Sequence, residues 1–411
     1  MKANRAGEVL GGAALMLVGL LGCSPGPTPP PASQNGQTPL ETSAMNNESR
    51  TAGPARPGAK IVRYEIPHLA ERPAWWKVRP EEITAAVRAA RKGQVQQIAT
   101  TPGGFPVWAV SYGFARAKPG TATWASGSNS RSVASYRTGE GAPQVVALVC
   151  CVHGAEPEAT VGALNLMELL ERGKDLRGQE RPALVELARQ YRLVILPCVN
   201  MDGRAASPDH LRGASEDEFV RASQGVWKDG TKIGYPGCKE YVPLPLERVA
   251  HPGGYPNSAG YNIMHDSNPG DIRTDEARGL LRLIGDEQAD LVLHLHSHSI
   301  GGQVLGASLL AYPLHVQRTH AYKQRVHDAL EQARLRPARV YPLEQRGGIG
   351  LGTACAMASG GLSLVFEQAA TSEWTFDEAL ETFYVTVETF LQWGLKEPFS
   401  PRSLVATGKE S

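Results

Sequence analysis

Apolar runs recur between about residue 100 and residue 370, and amphipathic stretches with helical spacing separate them. An unbroken run such as 145–149 (Val-Val-Ala-Leu-Val) fits a strand that helices cover on both faces. The alternation predicts an α/β fold with a mixed, largely parallel twisted central sheet flanked by helices. The strand candidates are 106–112, 144–152, 192–199, 290–296 and 361–367, and the helix candidates are 80–92, 158–172, 183–190, 274–287, 320–333 and 375–393.

The start of the chain has the features of a secretory signal. Lys2 and Arg5 are positive, and the apolar run 10–21 is too short to span the roughly 30 Å hydrocarbon core of a membrane. The run ends in Leu-Leu-Gly-Cys23, which resembles the lipobox of bacterial lipoproteins. This resemblance implies a signal peptide over 1–22 and a lipid on Cys23. With Ser24 next, it implies the outer membrane of the bacterial cell envelope, facing the periplasm or the surface. An ordinary cleaved signal peptide is the alternative.

Composition divides the rest of the chain. Residues 23–58 are rich in Pro, Ser, Asn, Gln and Thr and have few large apolar residues, so they cannot bury enough surface to offset their ordering entropy. We expect a disordered tether there. Residues 59–400 contain no low-complexity break and no repeat, and form one catalytic domain in our interpretation, with a short tail over 401–411.

Charge and cysteine content exclude two kinds of function. The chain has 42 Lys+Arg against 41 Asp+Glu, a net charge of +1, whereas nucleic-acid-binding domains usually carry a clear basic excess. We therefore expect no nucleic-acid partner. The six cysteines lack the C-x-x-C spacing of thiolate zinc sites, so cysteine chemistry is not indicated.

One strand candidate ends in residues that suit a metal ion. His153 and Glu156 follow the run 144–152 directly and precede a helix, and reactive groups of open α/β sheets gather beyond the carboxyl ends of strands. Imidazole nitrogen and carboxylate oxygen both suit Zn²⁺. His68 and Glu71 have the same spacing, but no strand places them at a sheet edge. The context therefore favours His153 and Glu156.

The strand candidate 290–296 offers a third ligand. His294, His296 and His298 alternate, so an extended strand directs them to one face. We choose His296, where the apolar run ends, and expect His294 to orient a ligand from behind. Three protein ligands with one open position are typical of catalytic zinc. The alternative is a hydrogen-bonding or pH-sensitive histidine cluster without metal.

A carboxylate closes the late strand candidate 361–367. Glu367 follows Val-Phe, and a charge there is costly unless it is paired, hydrated or functional. Beside zinc, Glu367 is a candidate general base that takes the proton of an activated water. A salt-bridge residue at the rim is the alternative.

These pieces together resemble the zinc carboxypeptidase family. In chain order they are His153-Gly-Ala-Glu156, Asn200-Met-Asp-Gly, His296-Ser-His-Ser and Phe-Glu367, and the resemblance covers about residues 75–393. It implies a carboxypeptidase-like fold and one Zn²⁺ per chain, held by His153, Glu156 and His296. It also implies Glu367 as general base.

The sequence departs from the family where substrate is bound. The family grips the substrate's terminal carboxylate with an Asn-Arg pair, and Met264 and His265 occupy the matching positions here, with Asn262 two residues earlier. Lys228 stands near the place of an upstream family Arg, and Gly-Gly-Ile-Gly at 347–350 replaces a loop Tyr. We predict Asn262, His265, Arg204 and Lys228 as substrate contacts. Lysine lacks the bidentate fork of arginine, which puts strict exopeptidase action in doubt.

Three functions are compatible with this pattern. The first is a lipid-anchored, zinc-dependent hydrolase of amide or peptide bonds. The second is an N-acyl amino acid deacylase similar to aspartoacylase and succinylglutamate desuccinylase, which share the His-x-x-Glu…His set. The third is an envelope lipoprotein that only binds ligands on the same scaffold, although the retained Glu367 is unnecessary for binding. The expected partners are a peptide or acyl amino acid and, through the N-terminal lipid, the membrane. The insertion 205–256 is either a substrate-selecting rim or a surface excursion.

Overall fold

A computed structural model describes residues 58–115, 143–268, 270–299, 301–306, 313–340, 350–371 and 374–400. The predicted signal peptide, the lipidation site Cys23, the tether up to residue 57 and the tail 401–411 lie outside the described residues. The loop 341–349, which contains most of the Gly-rich segment, lies outside them as well. No described helix has both the length and the apolarity that crossing a membrane requires.

A seven-stranded sheet forms the centre of the fold, with strand order β1-β2-β4-β3-β7-β9-β8. The four strands β4, β3, β7 and β9 pair in parallel, and antiparallel strands flank them on both sides. This arrangement confirms the predicted mixed sheet with a parallel centre. The strands are β1 (Gln94–Thr100), β2 (Pro106–Tyr112), β3 (Val145–Cys150), β4 (Arg192–Leu196), β7 (Leu291–His298), β8 (Gln303–Gly306) and β9 (Leu362–Ala369), and a separate two-stranded sheet contains β5 (Val226–Trp227) and β6 (Val249–His251).

Helices cover both faces of the large sheet. The described helices are α1 (Pro80–Arg88), α2 (Glu158–Arg172), α3 (Pro182–Ala188), α4 (Met201–Ala206), α5 (Glu216–Gln224), α6 (Gly237–Glu240), α7 (Asp275–Glu287), α8 (Pro313–Gln332), α9 (Leu351–Ser359) and α10 (Phe376–Lys396). Residues of α1, α2, α3, α8 and α10 pack in one apolar cluster, and residues of α7 and α9 pack in the other.

The two helix layers explain the unbroken apolar runs. In β3, Val146 and Leu148 belong to one cluster, whereas Ala147 and Val149 belong to the other. Each strand residue therefore meets a helix layer whichever way it points, and no position of the run faces water. Because both faces are buried, the central strands have continuous apolar runs that can be recognised in the sequence.

The antiparallel edge strands were not predicted, because they lack that signal. β1 has the sequence Gln-Val-Gln-Gln-Ile-Ala-Thr, and most of its residues are exposed. An edge strand with a solvated face carries no continuous apolar run, so its composition resembles that of a loop. Helix α8 begins at Pro313, seven residues before the predicted start at His320.

The insertion 205–256 is folded. It contains α5, α6 and the small sheet of β5 and β6, and its apolar side chains form a separate cluster around Ile233, Leu244 and Tyr255. The end of the insertion turns inward, since Tyr255 is only 4% exposed. This inward turn brings the insertion to the residues described next.

Candidate metal centre

Three neighbouring strands bring the predicted chemistry to one edge of the sheet. His153 and Glu156 follow β3, His296 lies near the end of β7, and Glu367 lies near the end of β9. Because β3, β7 and β9 are adjacent and parallel, their carboxyl ends meet at the same edge. The rival pair does not share this place: His68 is 57% exposed and its Nδ1 lies 3.5 Å from Glu218.

The carboxylate of Glu156 lies between two imidazoles. Its Oε1 is 2.9 Å from His153 Nδ1, and its Oε2 is 2.8 Å from His296 Nδ1. One ligand atom from each of the three residues lies within 4.8 Å of the others. All three side chains are buried, at 7%, 1% and 2% exposure for His153, Glu156 and His296. The arrangement is a compact, water-poor set of nitrogen and oxygen donors.

Burial and charge set the protonation of this cluster. Burial opposes ionisation of Glu156, but the adjacent His153 and His296 outweigh it and lower its pKa to about 2. Burial also opposes charge on His296, yet Glu156 dominates and raises that pKa to about 9. For His153, burial is the larger effect and lowers the pKa. Burial, with a smaller repulsion from His296, therefore disfavours a positive charge on His153, whereas Glu156 favours one on His296.

The donor set fits a zinc ion. Two imidazoles and one carboxylate are ligands that zinc uses, and a buried carboxylate requires a compensating positive charge. In the protein alone the proton on His296 meets that requirement. His153 Nε2 and His296 Nε2 have no hydrogen-bond partner among the described residues, so no other side chain competes for these rings there. His153, Glu156 and His296 would hold the ion.

Glu367 lies beside this set. It is the residue of β9 that pairs with His296 of β7, and paired residues of adjacent strands direct their side chains to the same face. Glu367 is half-buried, and its negative charge contributes to the raised pKa of His296, after the larger effects of burial and Glu156. The predicted base is therefore next to the predicted ligands.

Tyr255 supports His153 and was not predicted. The two rings stack with centroids 3.8 Å apart and planes 11° from parallel. Tyr255 comes from the end of the insertion, in Gly-Gly-Tyr255-Pro, far from His153 in the sequence. Burial raises the pKa of its hydroxyl, and the charges of Glu156 and Glu367 add to this effect, so the ring stays neutral. In the sequence around Tyr255, the two preceding glycines are the only local feature that could have indicated its place at the site.

Hydrogen bonds from Ser297 connect the proposed ligand Glu156 and the nearby Glu158. The backbone N–H of Ser297 donates to Glu156 Oε2 at 3.2 Å, and the Ser297 hydroxyl donates to Glu158 at 2.6 Å. Burial raises the pKa of Glu158 to about 7, and the nearby Glu156 adds to this effect against the hydrogen bond from Ser297. These contacts tie the end of β7 to the start of α2. Glu158 also was not predicted.

Arg204 is not at the substrate face, contrary to the prediction from the sequence. Its side chain is 1% exposed, and its guanidinium donates to the carbonyls of Gly154, at 2.7 Å, of Ser207, at 3.0 Å, and of Pro208. A guanidinium used in this way holds the 153–156 turn from inside the protein. The physical reason is that the turn buries backbone carbonyls that need donors.

Three glycines allow the backbone segments to meet behind the metal residues. Gly154 N–H donates to the carbonyl of Gly254 at 2.6 Å. A side chain at Gly154 would collide with the backbone of Gly203, and one at Gly203 would collide with the carbonyl of Gly254. The 153–156 turn, α4 and the end of the insertion are thus in direct backbone contact.

His294 lies two residues before His296, on the same face of β7. It is fully buried, and burial, with a smaller effect of His296, lowers its pKa to about 3. Neither ring nitrogen has a hydrogen-bond partner among the described residues. The structure brings His294 close to the ligands, and its orienting role stays a prediction.

Asn262 and His265 are at either end of the short turn Ile263–His265. Asn262 is buried, its side-chain oxygen accepts the N–H of Met264 at 3.2 Å, and its Nδ2 has no partner among the described residues. His265 is half-buried, and burial lowers its pKa to about 4, with the charge of His153 adding to this effect. A neutral His265 offers a hydrogen bond to a substrate but no charge.

Lys228 is exposed directly after β5, and its role as a substrate contact stays a prediction. A second lysine of the insertion, Lys239, also acts on the predicted site residues through its charge. Burial is the main cause of the lowered pKa values of His153 and His265, and the positive charge of Lys239 lowers both further. Lys239 is exposed on α6, and its ammonium lies 5.2 Å from the ring of Tyr235. Nothing in the sequence around Lys239 distinguished it from a surface lysine.

Solved structures that show some similarity to this chain include metallo-carboxypeptidases. That of Burkholderia cenocepacia is 14% identical over 75% of this chain and 66% of its own, with a TM-score of 0.45. That of Pseudomonas aeruginosa, in complex with (2-guanidinoethylmercapto)succinic acid, is 13% identical over 77% and 68%, also with 0.45. Bovine thrombin-activatable fibrinolysis inhibitor, in complex with tick carboxypeptidase inhibitor, is 12% identical over 78% and 99%, again with 0.45.

The sequence itself matches a family. A search of curated protein sequences finds no significant match. Residues 86–229 match the family model described as zinc carboxypeptidase, and this stretch contains His153, Glu156 and the Asn200 turn. The match supports the resemblance over the first two of the four motifs, whereas His296 and Glu367 lie outside the matched stretch. Residues 86–229 of this chain are therefore similar to the zinc carboxypeptidase family.

Proposed function

We propose that this protein is a zinc-dependent hydrolase of amide or peptide bonds that acts in the manner of a carboxypeptidase. The family is one of metallopeptidases, which supports a zinc hydrolase in general. The observation that carries the specific proposal is the place of Glu367, paired in register with His296 beside the His153–Glu156–His296 set. A binding protein would need no carboxylate in that position.

The residues divide the reaction between them. When bound, zinc lowers the pKa of a coordinated water to about 7 and polarises a carbonyl oxygen. His153, Glu156 and His296 would hold the ion, and the stacked Tyr255 would keep the ring of His153 in one orientation. Glu367 takes the proton of the attacking water and passes it to the leaving amine. Glu367 is only half-buried, so part of its side chain is open to water.

Lys239 is the proposed partner of a substrate carboxylate. Its ammonium is exposed, and its charge acts on His153 and His265, so it belongs to the same electrostatic neighbourhood. Lysine attracts a carboxylate as a point charge and lacks the bidentate geometry of arginine. We therefore propose a weaker preference for a free C-terminus than an arginine clamp would impose, with His265 and Asn262 offering hydrogen bonds.

Metal content and substrate panels test the proposal. Purified protein should contain about one zinc per chain by mass spectrometry, and His153→Ala should contain little. The protein should then be assayed on peptides with a free C-terminus, on the same peptides with a C-terminal amide, and on N-acyl amino acids. Hydrolysis of N-acyl amino acids alone would favour the deacylase. A folded, zinc-loaded protein without activity on any of these would overturn the proposed hydrolysis.

The cellular location is a separate proposal. Lipid on Cys23 would attach the protein to the bacterial cell envelope, and peptides present there would be its substrates. The Leu-Leu-Gly-Cys23 sequence supports this. Cys23→Ser should move the protein from the membrane fraction to the soluble fraction, and an unchanged distribution would contradict the anchor.

A further inference from the structure

A cavity lies apart from the metal residues, between the segments 70–75 and 210–213 and the start of α10. Its volume is about 590 Å³, and none of the proposed ligands, nor Glu367, lines it. Four rings contribute to its wall: those of Trp75, His210, Trp374 and Phe376. A ligand pocket commonly combines such an apolar wall with a few polar groups.

Arg212 supplies the positive charge of this cavity. Its guanidinium lies 5.0 Å from the centre of the Phe376 ring, and it forms no ion pair with any described residue. By contrast, the nearby Arg177 is paired with Asp175, Asp377 and Glu381. Arg212 is half-buried, and burial lowers its pKa, although the charges of Glu158 and Glu378 act in the opposite direction. An anion bound in the cavity would add a direct hydrogen-bonding partner for the guanidinium.

His210 adds a fixed polar ring without charge. The N–H of Arg212 donates to His210 Nδ1 at 3.2 Å, which leaves the proton on Nε2, 2.8 Å from the carbonyl of Ala70. Burial lowers the pKa of His210, so the ring stays neutral. Among the described residues that line the cavity, Arg212 is therefore the one cation, while the guanidinium of Arg336 lies 5.0 Å from the ring of Trp374 without lining the cavity itself.

Two carboxylates restrict the charge of a ligand. Asp377 Oδ1 accepts from the Arg177 guanidinium at 2.8 Å, which neutralises it. Glu71 also lines the cavity, is exposed and has no partner among the described residues. Its charge would repel a second negative charge on a ligand. A monoanion is therefore favoured over a dianion.

We propose that this cavity binds a small monocarboxylate that carries an aromatic ring, with the carboxylate on Arg212 and the ring among Trp75, Trp374 and Phe376. Aromatic rings stack favourably on such walls, and a guanidinium pairs with a carboxylate through two parallel hydrogen bonds. N-acylated aromatic amino acids and aromatic C-termini of peptides share this chemistry.

One apolar cluster connects a segment that lines the cavity with the 153–156 turn. Leu211, next to Arg212, packs in the same cluster as Ala155 of that turn and Ala370 after β9. Neither the proposed metal ligands nor Glu367 are among the residues that line the cavity, so the proposed ligand occupies a second site.

Fluorine NMR on the full protein can test this binding. The probe is N-acetyl-4-fluorophenylalanine, titrated against the protein and compared with its carboxamide and with 4-fluorophenyl phosphate. We expect the carboxylate to bind at least tenfold more tightly than the carboxamide and than the phosphate. Arg212→Gln should weaken binding of the carboxylate at least tenfold and leave that of the carboxamide unchanged.

Matched variants separate this site from others. Arg88→Gln is the control, because Arg88 also lies over an aromatic ring, that of Trp108 at 5.7 Å, outside the cavity. Trp374→Ala should weaken carboxylate and carboxamide alike, and circular dichroism with thermal unfolding checks that each variant folds. Equal affinity of Arg212→Gln and parent for the carboxylate would overturn the proposal, since binding at the metal centre alone gives that result.

Discussion

Glu367 pairs with His296 in the parallel register of β7 and β9, so the candidate base and a candidate ligand point from the same face of the sheet. The relationship depends on backbone hydrogen bonds between two central strands rather than on a loop. Sites built on strands are positioned more precisely than sites on loops. The placement of Glu367 relative to His296 is thus a property of the sheet.

The first prediction concerns Glu367. Glu367→Gln should retain about one zinc per chain and lose roughly 10²- to 10⁴-fold in kcat, because the amide cannot take a proton from water. Zinc content and peptide hydrolysis measured on the same preparation check this. Glu331→Gln, an exposed change on α8, is the matched control and should behave as the parent. Normal turnover by Glu367→Gln would show that the base is another group.

The second prediction concerns the ring stacked on His153. Tyr255→Leu should raise the dissociation constant for zinc about tenfold, because a flexible aliphatic chain no longer fixes the imidazole, and residues behind metal ligands commonly contribute 10- to 100-fold. Tyr255→Phe keeps the stack and should stay within about threefold of the parent. Competition with a chelator measures both. If Phe and Leu weaken zinc binding equally, the hydroxyl rather than the ring matters.

The third prediction compares two lysines of the insertion. Lys239→Gln should raise KM about tenfold for peptides with a free C-terminal carboxylate, change kcat little, and leave KM for C-terminal amides unchanged. Lys228→Gln, an equal change of charge in the same insertion, should leave all these constants near the parental values. A larger effect of Lys228→Gln would restore the assignment made from the sequence.

The fourth prediction concerns a buried acid away from the metal residues. Burial raises the pKa of Glu276 to about 7, against one hydrogen bond that its Oε1 accepts from Asn257 at 3.0 Å. Below about pH 4.5 the folded and unfolded chains both hold this proton. As pH rises towards 7, only the unfolded chain releases this proton, so Glu276 lowers the free energy of unfolding progressively over this range. Above pH 7 the folded chain releases the proton as well, and the loss stays constant.

Glu276→Gln should remove this loss in the free energy of unfolding, because the amide does not ionise. It keeps a side-chain oxygen that can accept the hydrogen bond from Asn257. The difference in free energy of unfolding between variant and parent should grow between pH 4.5 and pH 8, by up to about 3 kcal/mol. Urea unfolding at the two pH values, with the same zinc concentration, measures it. Asp286→Asn, exposed on the same helix, is the control. A difference independent of pH would mean that Glu276 is ionised in the folded protein.

The parts of the fold that the sequence predicts are those with local signals. The buried central strands have continuous apolar runs, and His153, Glu156, His296 and Glu367 directly follow or end such runs. The carboxyl ends of parallel strands meet at one edge of the sheet in this architecture. Residues that directly follow or end such strands are therefore expected to lie close together.

The parts that the sequence does not predict depend on contacts between distant segments. Tyr255 reaches His153 only because the insertion folds back towards the metal residues, and no periodicity of the sequence predicts that return. Arg204 is next to a family motif, yet its guanidinium points inward to backbone carbonyls. Its direction is decided by which buried carbonyls lack donors, and this appears only once the turn is packed.

The contact of Gly154, Gly203 and Gly254 has a consequence for redesign. The final residues of the insertion touch the metal-bearing turn with no side chain between them, so neither segment can shift while the other stays still. Exchanging the whole insertion to alter selectivity would also disturb the turn that carries His153. A graft that retains residues 253–255 and replaces only the outer part of the insertion would change selectivity without disturbing the turn that carries His153. Natural sequence changes in the outer part would have the same limited effect.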